Sequence, residues 1–418
     1  MNRVYVCIDL KTFFASVECV ERKLDPFKTD LVVADPSRGD GAICLAISPK
    51  MKQRGIKNRC RMYEIPKNIH PIIAKPRMKK YRDYSIYINT IYLNYVNIDD
   101  WFAYSIDECF VDATPYLNYY NKTPKEFAKM LIDAVYKKTG ITAAAGIGTN
   151  MYLAKIALDI TAKHSPDNIG YLDENLYKEH LWHHTPLTDF WQIGKGIERR
   201  LFNLHLKDMF DISKCEETLL YKEFGINAEI LIDHSKGIEP CTIKDVKEYK
   251  PKSNSISNTH VLDKDYNFED ARNILIEMVD NLILDLVSRK KYASTVSLYI
   301  GYTKDKIPPM KFTVKLEQAT SSYTIILNKI LSEYDFRVNQ FILIRRIGIF
   351  FGNLKDKLIE QLDLFSIHEI SEKDLRIEMA MNEIKNKYGK NSILRGLSFT
   401  ENATQIKRNK LLGGHNAE

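Results

Sequence analysis

An adjacent pair of acidic residues, Asp107 and Glu108, interrupts a run that is otherwise apolar, β-branched and aromatic. The flanking residues, from Phe102 to Asp112, have the composition of a β-strand or hairpin. Within a buried sheet two ionised carboxylates are costly unless a partner neutralises them. A divalent cation can do so, and a solvated hairpin turn is the alternative. Successive strand side chains point to opposite faces, so both carboxylates reach one ion only across a bend or bulge.

A second strand that ends in a carboxylate lies near the start of the chain. Residues 4–9 form a short apolar run that ends at Asp9. If the two strands are neighbours in one sheet, Asp9 can meet Asp107 and Glu108. Hard oxygen ligands of this kind favour Mg²⁺ or Mn²⁺.

Together, the two segments resemble the catalytic motifs of Y-family translesion DNA polymerases. The matching residues are Asp9-Leu10-x-x-Phe13-Phe14-Ala15-Ser16-Val17-Glu18 and Tyr104-Ser105-Ile106-Asp107-Glu108. Within that family the chain is most similar to the UmuC/ImpB/SamB branch and its UvrX-like members, with gaps, over nearly its whole length. The resemblance implies an error-prone, DNA-directed DNA polymerase of DNA repair and the SOS response that has no proofreading exonuclease.

The resemblance also implies roles for the residues of the two motifs. Asp9 and Asp107 would bridge two Mg²⁺ ions, with Mn²⁺ as the alternative metal. Glu108 would hold the ion on the primer side, and the backbone carbonyl of Leu10 the ion on the nucleotide side. Phe14 stands where the family has an aromatic residue that lies under the deoxyribose and clashes with a 2′-hydroxyl.

Three further residues are implied in the nucleotide site. Phe13 precedes the gate residue, although its helical spacing is typical of an ordinary core position. Lys163 stands where the family places a lysine on the β- and γ-phosphates. Lys52 stands on a short basic helix at the family's arginine position, while Pro49 replaces a tyrosine. Lysine offers a point charge and no planar fork, and a solvated basic helix is the alternative for this segment.

The order of strands and helices predicts an α+β fold with helices against a mixed sheet. The resemblance implies a right-hand polymerase with a mixed-sheet palm, small fingers, a helical helix-hairpin-helix thumb and an α/β little-finger domain. The expected boundaries are palm 1–28 and 78–166, fingers 29–77, thumb 167–235, linker 236–254, little finger 255–355, and clamp-binding motif with basic tail 356–418.

Two segments are candidates for sequence-independent contacts with primer–template DNA. Gly194-Lys195-Gly196 follows one predicted helix and precedes another, and the backbone N–H groups of such a hairpin can bind a phosphate. A simple turn between helices is the alternative. Arg345 and Arg346 lie on an amphipathic strand of a sheet that is expected to have one basic face.

A pentad after the last predicted domain resembles the bacterial sliding-clamp-binding motif. Its residues are Gln361, Leu362, Asp363, Leu364 and Phe365. The glutamine would supply a hydrogen bond, and the leucines and the phenylalanine would fill an apolar pocket. An ordinary helix start is the alternative. The remaining expected partners are deoxynucleoside triphosphates, and the chain is expected to act as a monomer.

Composition limits the other function classes. No apolar run approaches the roughly 20 residues that span a bilayer, and the N-terminus lacks a signal-peptide pattern, so we expect a cytoplasmic protein without a membrane partner. The seven cysteines include no Cys-x-x-Cys, which argues against a disulfide framework or a zinc site. The net charge is +7, and residues 236–360 hold 20 Lys and Arg against 16 Asp and Glu, which suits a polyanionic partner.

Two other readings of the acidic motifs stay open from the residues alone. A two-metal nuclease or nucleotide cyclase could use a similar sheet and the same carboxylates. A catalytically silent DNA-binding repair accessory protein could keep them as structural groups. A shortened primer would indicate the nuclease, and metal binding without activity would indicate the accessory protein.

Overall fold

The computed structural model describes residues 3–251, 254–303, 307–356 and 367–418. It divides into two compact units, the first within residues 1–249 and the second within residues 250–417. Within the described ranges, no helix combines the length and the apolar character that crossing a lipid bilayer requires.

The first unit begins with a mixed series of short strands and helices and ends in consecutive helices. Its strands are β1 (Tyr5–Leu10), β2 (Leu31–Val33), β3 (Ala46–Ile47), β4 (Ile72–Ala74), β5 (Trp101–Ala103), β6 (Glu108–Asp112), β7 (Ala143–Gly148) and β8 (Ile169–Leu172). Its helices are α1 (Phe13–Glu21), α2 (Pro49–Gln53), α3 (Met78–Tyr92), α4 (Thr114–Tyr120), α5 (Pro124–Thr139), α6 (Met151–Ile156), α7 (Glu174–Leu181), α8 (Lys195–Asn203), α9 (Met209–Lys214), α10 (Glu217–Phe224), α11 (Asn227–Ser235) and α12 (Ile243–Glu248).

A mixed sheet with strand order β5-β6-β1-β7-β8 forms the centre of the first unit, and only the β7–β8 pair among its neighbours is parallel. The middle strand β1 is buried on both faces, which explains its uninterrupted apolar sequence. Val6 and Ile8 join the core that includes residues of α1, α3 and α5. Tyr5 and Cys7 on the other face pack with residues of α6.

Two predicted domain boundaries need correction. The sheet predicted for the palm extends past residue 166, because β8 pairs in parallel with β7. The predicted linker 236–254 contains a packed helix, α12, which is capped by reciprocal hydrogen bonds between Thr242 and Asp245. Ile243 in this helix is buried against the face of the sheet that includes Tyr5. Sequence charge suggested a linker because the apolar side of this helix is a single turn long.

A smaller three-stranded sheet, ordered β3-β2-β4, accompanies α2 in the region predicted as fingers. Pro49 occupies the first turn of α2, and the Ser48 side chain caps it by accepting a hydrogen bond from the Met51 N–H. The region after β8 consists of the consecutive helices α7 to α11, as expected for a helical domain.

The second unit is built on an antiparallel sheet with strand order β11-β10-β12-β9. Its strands are β9 (Ile256–Tyr266), β10 (Lys291–Tyr302), β11 (Met310–Thr320), β12 (Ile344–Gly352), β13 (Lys355–Asp356), β14 (Leu411–Leu412) and β15 (His415–Asn416). Its helices are α13 (Phe268–Ser288), α14 (Tyr323–Arg337), α15 (Ile367–Tyr388) and α16 (Gln405–Arg408). Helices α13 and α14 contribute to the core on one face of the sheet.

The segment after residue 366 packs on the second unit. Helix α15 contacts α13 and α14, and α16 contacts α13. The buried carboxylate of Glu277 on α13 accepts hydrogen bonds from the backbone N–H groups of Thr404 and Gln405, at 3.1 and 3.2 Å. The polar composition of this segment gave no signal of the docking, because its anchors are hydrogen bonds and ion pairs.

Candidate active site

Strands β1 and β6 bring two of the three candidate carboxylates together. They are antiparallel, and Asp9 is the register partner of Glu108. Asp107 lies in the turn just before β6, and its backbone carbonyl accepts a hydrogen bond of 2.9 Å from the Leu10 N–H. The Asp107 side chain accepts a hydrogen bond of 2.8 Å from the hydroxyl of Ser105. The sequence analysis required a bend between Asp107 and Glu108 if both carboxylates are to reach one ion. That bend lies where the turn residue Asp107 meets the first residue of β6, Glu108.

The carboxylates at this edge of the sheet carry uncompensated charge. Burial raises the pKa of Asp9 to about 7, and the nearby charges of Asp107 and Glu108 add to the effect. Burial also raises the pKa of Glu108, against the opposing effect of Lys155. Ionising these carboxylates together is therefore unfavourable, because the protein's own cations offset their charge only in part.

This donor set fits a divalent cation in chemistry, although it is not arranged as a finished site. Among the residues that the structure describes, no three His, Cys, Asp or Glu side chains converge as ligands on one point. Instead, Glu108 forms an ion pair with Lys155. Carboxylate oxygens are the ligands that Mg²⁺ and Mn²⁺ prefer, and a bound cation would relieve the repulsion that raises the Asp9 pKa.

Lys155 is a site residue that the sequence interpretation missed. It lies on α6, which packs very close to β7. A Cβ atom at Gly146 would lie 2.1 Å from the carbonyl oxygen of Ala154, and one at Gly148 would lie 2.3 Å from the Ala154 nitrogen. Gly146 and Gly148 thus have a packing role, because glycine at both positions lets α6 approach β7. The available signal was the segment from Gly146 to Ala157, which resembles a Gly-Ile-x-x-Asn-x-x-x-Ala-Lys-x-Ala motif of Y-family polymerases.

Lys11 and Lys52 lie near Asp9, and Lys163 lies near Lys52; of these three lysines, Lys52 and Lys163 were expected. Although Lys52 is exposed as a residue, desolvation of its ammonium group lowers its pKa, and the charges of Asp9 and Lys163 also act on it. Lys11, which sequence interpretation did not select, is influenced in the same way: desolvation lowers its pKa, against the opposing effect of Asp9, and Lys52 lowers it further. Its ammonium group donates a hydrogen bond to the Asn168 side chain.

Phe14 is held by a buried network. Its ring stacks on Tyr81, with centroids 4.5 Å apart and planes inclined by 16°. The Tyr81 hydroxyl donates a 2.8 Å hydrogen bond to Glu18, which is fully buried and also accepts hydrogen bonds of 2.9 and 2.7 Å from Arg77. Phe13 is only 2% exposed and belongs to the core. We therefore correct its assignment as a nucleotide contact, because its side chain supports the sheet.

A cavity of about 460 Å³ opens beside Lys155. Its lining includes Tyr104, Trp191, Gly194 and Asp159. The Trp191 indole N–H donates a 3.0 Å hydrogen bond to the Tyr104 hydroxyl. The carboxylate edge of the sheet is thus continuous with a partly aromatic recess.

The candidate DNA contacts differ from their predicted forms. Gly194 precedes α8 as its N-cap, and Lys195 and Gly196 begin that helix, so the three exposed residues form a helix start and not a hairpin. Arg345 pairs with Asp265 at 3.4 Å, next to a register shift in β12. Arg346 is exposed, on the sheet face away from the helices. The clamp-like pentad, residues 361–365, lies outside the described residues.

Comparison with known proteins gives a consistent match to one family. A model described as "impB/mucB/samB family" matches residues 8–159, and one described as "impB/mucB/samB family C-terminal domain" matches residues 253–364. The UV-damage repair protein UvrX of Bacillus subtilis (strain 168) is 30% identical over 412 residues, which cover 98% of this chain and 97% of the relative.

Other relatives carry a different name. A protein named DNA polymerase IV 2 from the same organism is 28% identical over 424 residues, covering 99% of both chains. DNA polymerase IV of Clostridium acetobutylicum is 26% identical over 413 residues, covering 95% of this chain and 98% of the relative. A solved Y-family DNA polymerase chimera matches with a TM-score of 0.61 and 19% identity, covering 85% of this chain and all of the other.

Proposed function

We propose a mechanism for this chain on the premise that it belongs to the impB/mucB/samB family of Y-family DNA polymerases and is a DNA-directed DNA polymerase. The predicted family, fold class and enzyme class are thereby confirmed. It acts on template DNA and deoxynucleoside triphosphates in translesion synthesis, and its family uses divalent metal ions. We extend this to error-prone synthesis without a proofreading step.

The carboxylate edge of the sheet is the proposed catalytic centre. Asp9 and Asp107 would hold both of two Mg²⁺ ions, with Mn²⁺ as an alternative, Glu108 the ion near the primer, and the Leu10 carbonyl the ion near the nucleotide. Ions bound there would make the primer 3′-hydroxyl a better nucleophile and stabilise the departing pyrophosphate. The register pairing of Asp9 with Glu108, with Asp107 in the adjoining turn, is the observation that carries this proposal.

Lys163, Lys52 and Lys11 form the proposed triphosphate site. Lys163 and Lys52 would offset the charge of the phosphates, and Lys11 joins them because the charges of Asp9 and Lys52 both act on its ammonium group, which donates a hydrogen bond to Asn168. Point charges from three lysines can stand in for one planar arginine fork in affinity, although they orient the phosphates less strictly.

Primer extension tests the catalytic assignment. Asp107→Ala and Glu108→Ala should bind primer–template DNA as the unchanged protein does and add no nucleotide. Circular dichroism and DNA binding control for folding. Primer extension near the wild-type rate in either variant would refute the catalytic assignment of these carboxylates. A shortened primer would favour the nuclease, and inactivity of the unchanged protein with bound metal would favour the silent accessory protein.

Phe14 is the proposed sugar gate. Its ring is fixed against Tyr81, so it can exclude a 2′-hydroxyl sterically. Phe14→Ala should raise ribonucleotide incorporation by about a hundredfold while deoxynucleotide addition persists. Phe27→Ala, an exposed phenylalanine of the same unit, is the control. Unchanged sugar selectivity in Phe14→Ala would remove this assignment.

DNA is proposed to contact both units without reading its sequence. The start of α8 at Lys195 offers backbone N–H groups and one positive charge. On the second unit, Arg346 shares the outward face of the sheet with Lys311 and Lys315, which are exposed on β11. Arg345 is a weaker candidate because Asp265 already pairs with it.

The pentad Gln361 to Phe365 is proposed to bind a sliding clamp, and the polymerase is proposed to act as a monomer. Replacing Leu364 and Phe365 by Ala should abolish clamp binding in a pull-down while distributive primer extension survives. Replacing the neighbouring Ile359 by Ala provides a matched apolar control. Clamp binding that survives the double substitution would refute the proposal.

A further inference from the structure

Glu108 faces an internal cation as well as the proposed metal site. The Lys155 ammonium group pairs with Glu108 Oε1, and the two side chains are only 10% and 12% exposed. The same Glu108 oxygen accepts a weak hydrogen bond from the Cys7 thiol at 3.7 Å. Among the described residues, the Lys155 ammonium group is therefore the one strong hydrogen-bond donor to the Glu108 carboxylate.

Lys155 has a second acceptor within reach. Its ammonium group lies 3.1 Å from Asp159 Oδ1, four residues further along the chain. The Asp159 side chain is 34% exposed and lines the cavity of about 460 Å³, as does Lys155 itself. The lysine therefore has both a neighbouring carboxylate and open volume into which its ammonium group can move.

An ammonium group and a divalent cation compete for the same oxygen. Bringing a doubly charged ion onto Glu108 while Lys155 stays in place sets two positive charges against each other in a poorly solvated recess. The favourable course is for the lysine to release Glu108 and to keep Asp159. Because α6 packs closely against β7, Lys155 stays within reach of Glu108 and can pair with it again when the ion leaves.

We propose that Lys155 is a displaceable counter-cation that pairs with both Glu108 and Asp159 in the metal-free enzyme and keeps only Asp159 when a divalent ion binds. This inference rests on the proposed metal site. Lys155 thus acts as a positioning residue: it keeps the empty acidic centre folded and sets how tightly an ion is held. The exchange leaves Glu108 with a positively charged partner both before and after binding.

The proposal is tested by titrating the protein with Mn²⁺ in the absence of DNA and nucleotide. The electron paramagnetic resonance signal of free Mn²⁺ reports how much of the ion is bound. Lys155→Gln frees Glu108 and should lower the Mn²⁺ dissociation constant on the order of tenfold, as when a competing state is removed. Lys155→Arg keeps the charge but can hold a carboxylate with two parallel N–H groups, so Glu108 is released less readily and Mn²⁺ should bind more weakly. Lys129→Gln breaks a lysine–aspartate pair of the same spacing on the exposed side of α5 and is the matched control.

The two Lys155 variants distinguish the proposed exchange of partners from a general electrostatic effect of the lysine charge. If Lys155 acted only through its charge, Lys155→Arg would bind Mn²⁺ like the unchanged protein, and that result overturns the proposal. Unchanged affinity in Lys155→Gln also overturns it. If Lys155→Gln does not fold, Lys155→Arg decides alone. Absence of any Mn²⁺ binding by the unchanged protein would instead refute the metal site under the proposed function.

Discussion

Two clusters of buried carboxylates, one in each unit, differ in the cations that face them. In the first unit Asp9 and Glu108 meet lysines, and one of these, Lys155, has a second acceptor. In the second unit Glu277 meets Arg408, whose side chain is 8% exposed, and also caps the segment that begins at Thr404. The lysine ammonium group is a point charge on a flexible side chain, so the ion pairs of the first cluster can change. The planar guanidinium group of arginine binds with a fixed geometry, so the ion pair of the second cluster is held in place.

A shifted pKa does not by itself distinguish the two clusters. Burial raises the pKa of Asp9 to about 7 and that of Glu378 in the second unit also to about 7. Glu378 nevertheless accepts a 2.6 Å hydrogen bond from Arg395, whose guanidinium group is stacked 3.6 Å from the Tyr323 ring centroid. Glu378 thus has a fixed arginine partner, while the proposed catalytic cluster has an exchangeable lysine.

The largest contrast is expected from Asp9→Asn. Primer extension should fall on the order of 10⁴-fold, the size of effect seen when one member of a catalytic set is removed. Thermal stability without divalent ions should be retained or should rise, because a buried charge beside two other carboxylates is removed. Asp112→Asn, at the far end of the paired strand β6, is the control for both measurements. A loss of thermal stability in Asp9→Asn would show that Asp9, like Glu277, stabilises the fold.

Glu277→Gln should give the opposite result. It leaves the buried Arg408 without its counter-charge, so the free energy of unfolding of the second unit should fall by about 3–5 kcal/mol. Urea denaturation measures this. Glu333→Gln, which removes a more exposed pair with Arg337, should cost no more than about 1 kcal/mol. Equal losses in the two variants would show that the Glu277 network is not structural.

The pH dependence of stability should identify Glu378. Its pKa is raised from 4.5 to about 7 in the folded protein, so the folded state binds the proton more tightly than the unfolded state. The stability that this group contributes is complete below about pH 4.5 and is lost as the pH rises through about 7, by up to roughly 3 kcal/mol. Arg395 opposes the raised pKa, while Asp280 and Asp374 contribute to it.

Glu378→Gln should remove this pH dependence, measured as the unfolding temperature across that range. Glu372→Gln on the same helix, where the glutamate is exposed and pairs with Arg376, should keep it. A slope that persists in Glu378→Gln would assign the titration to another group.

The smallest expected effect concerns Lys11. Lys11→Gln should raise the KM for deoxynucleoside triphosphates by about tenfold, with a smaller change in kcat, because it removes one charged contact with the phosphates. Stability should not change, in contrast to Glu277→Gln. Lys50→Gln on α2, where the lysine pairs with Asp30, is the control. An unchanged KM would exclude Lys11 from the nucleotide site.

The sequence by itself determined the class of fold and predicted which carboxylates meet. Asp9 and the Asp107-Glu108 pair end or begin apolar strands, and that local pattern predicts both the strands and the placement of acid at a sheet edge. Phe14 could be selected as a candidate for a similar reason, since its neighbours form one contiguous motif. Features that depend on residues near each other in the chain were therefore available before any coordinates.

Only the tertiary structure decided which cations face these carboxylates. Lys155 reaches Glu108 because two glycines let α6 approach β7, and Lys11 is fixed by Asn168, more than 150 positions away. The docking of Thr404 on Glu277 likewise joins distant segments through polar contacts, which leave no periodic apolar pattern. Apolar periodicity reports burial along one element, whereas the partner of a buried charge is chosen by how elements distant in sequence pack together.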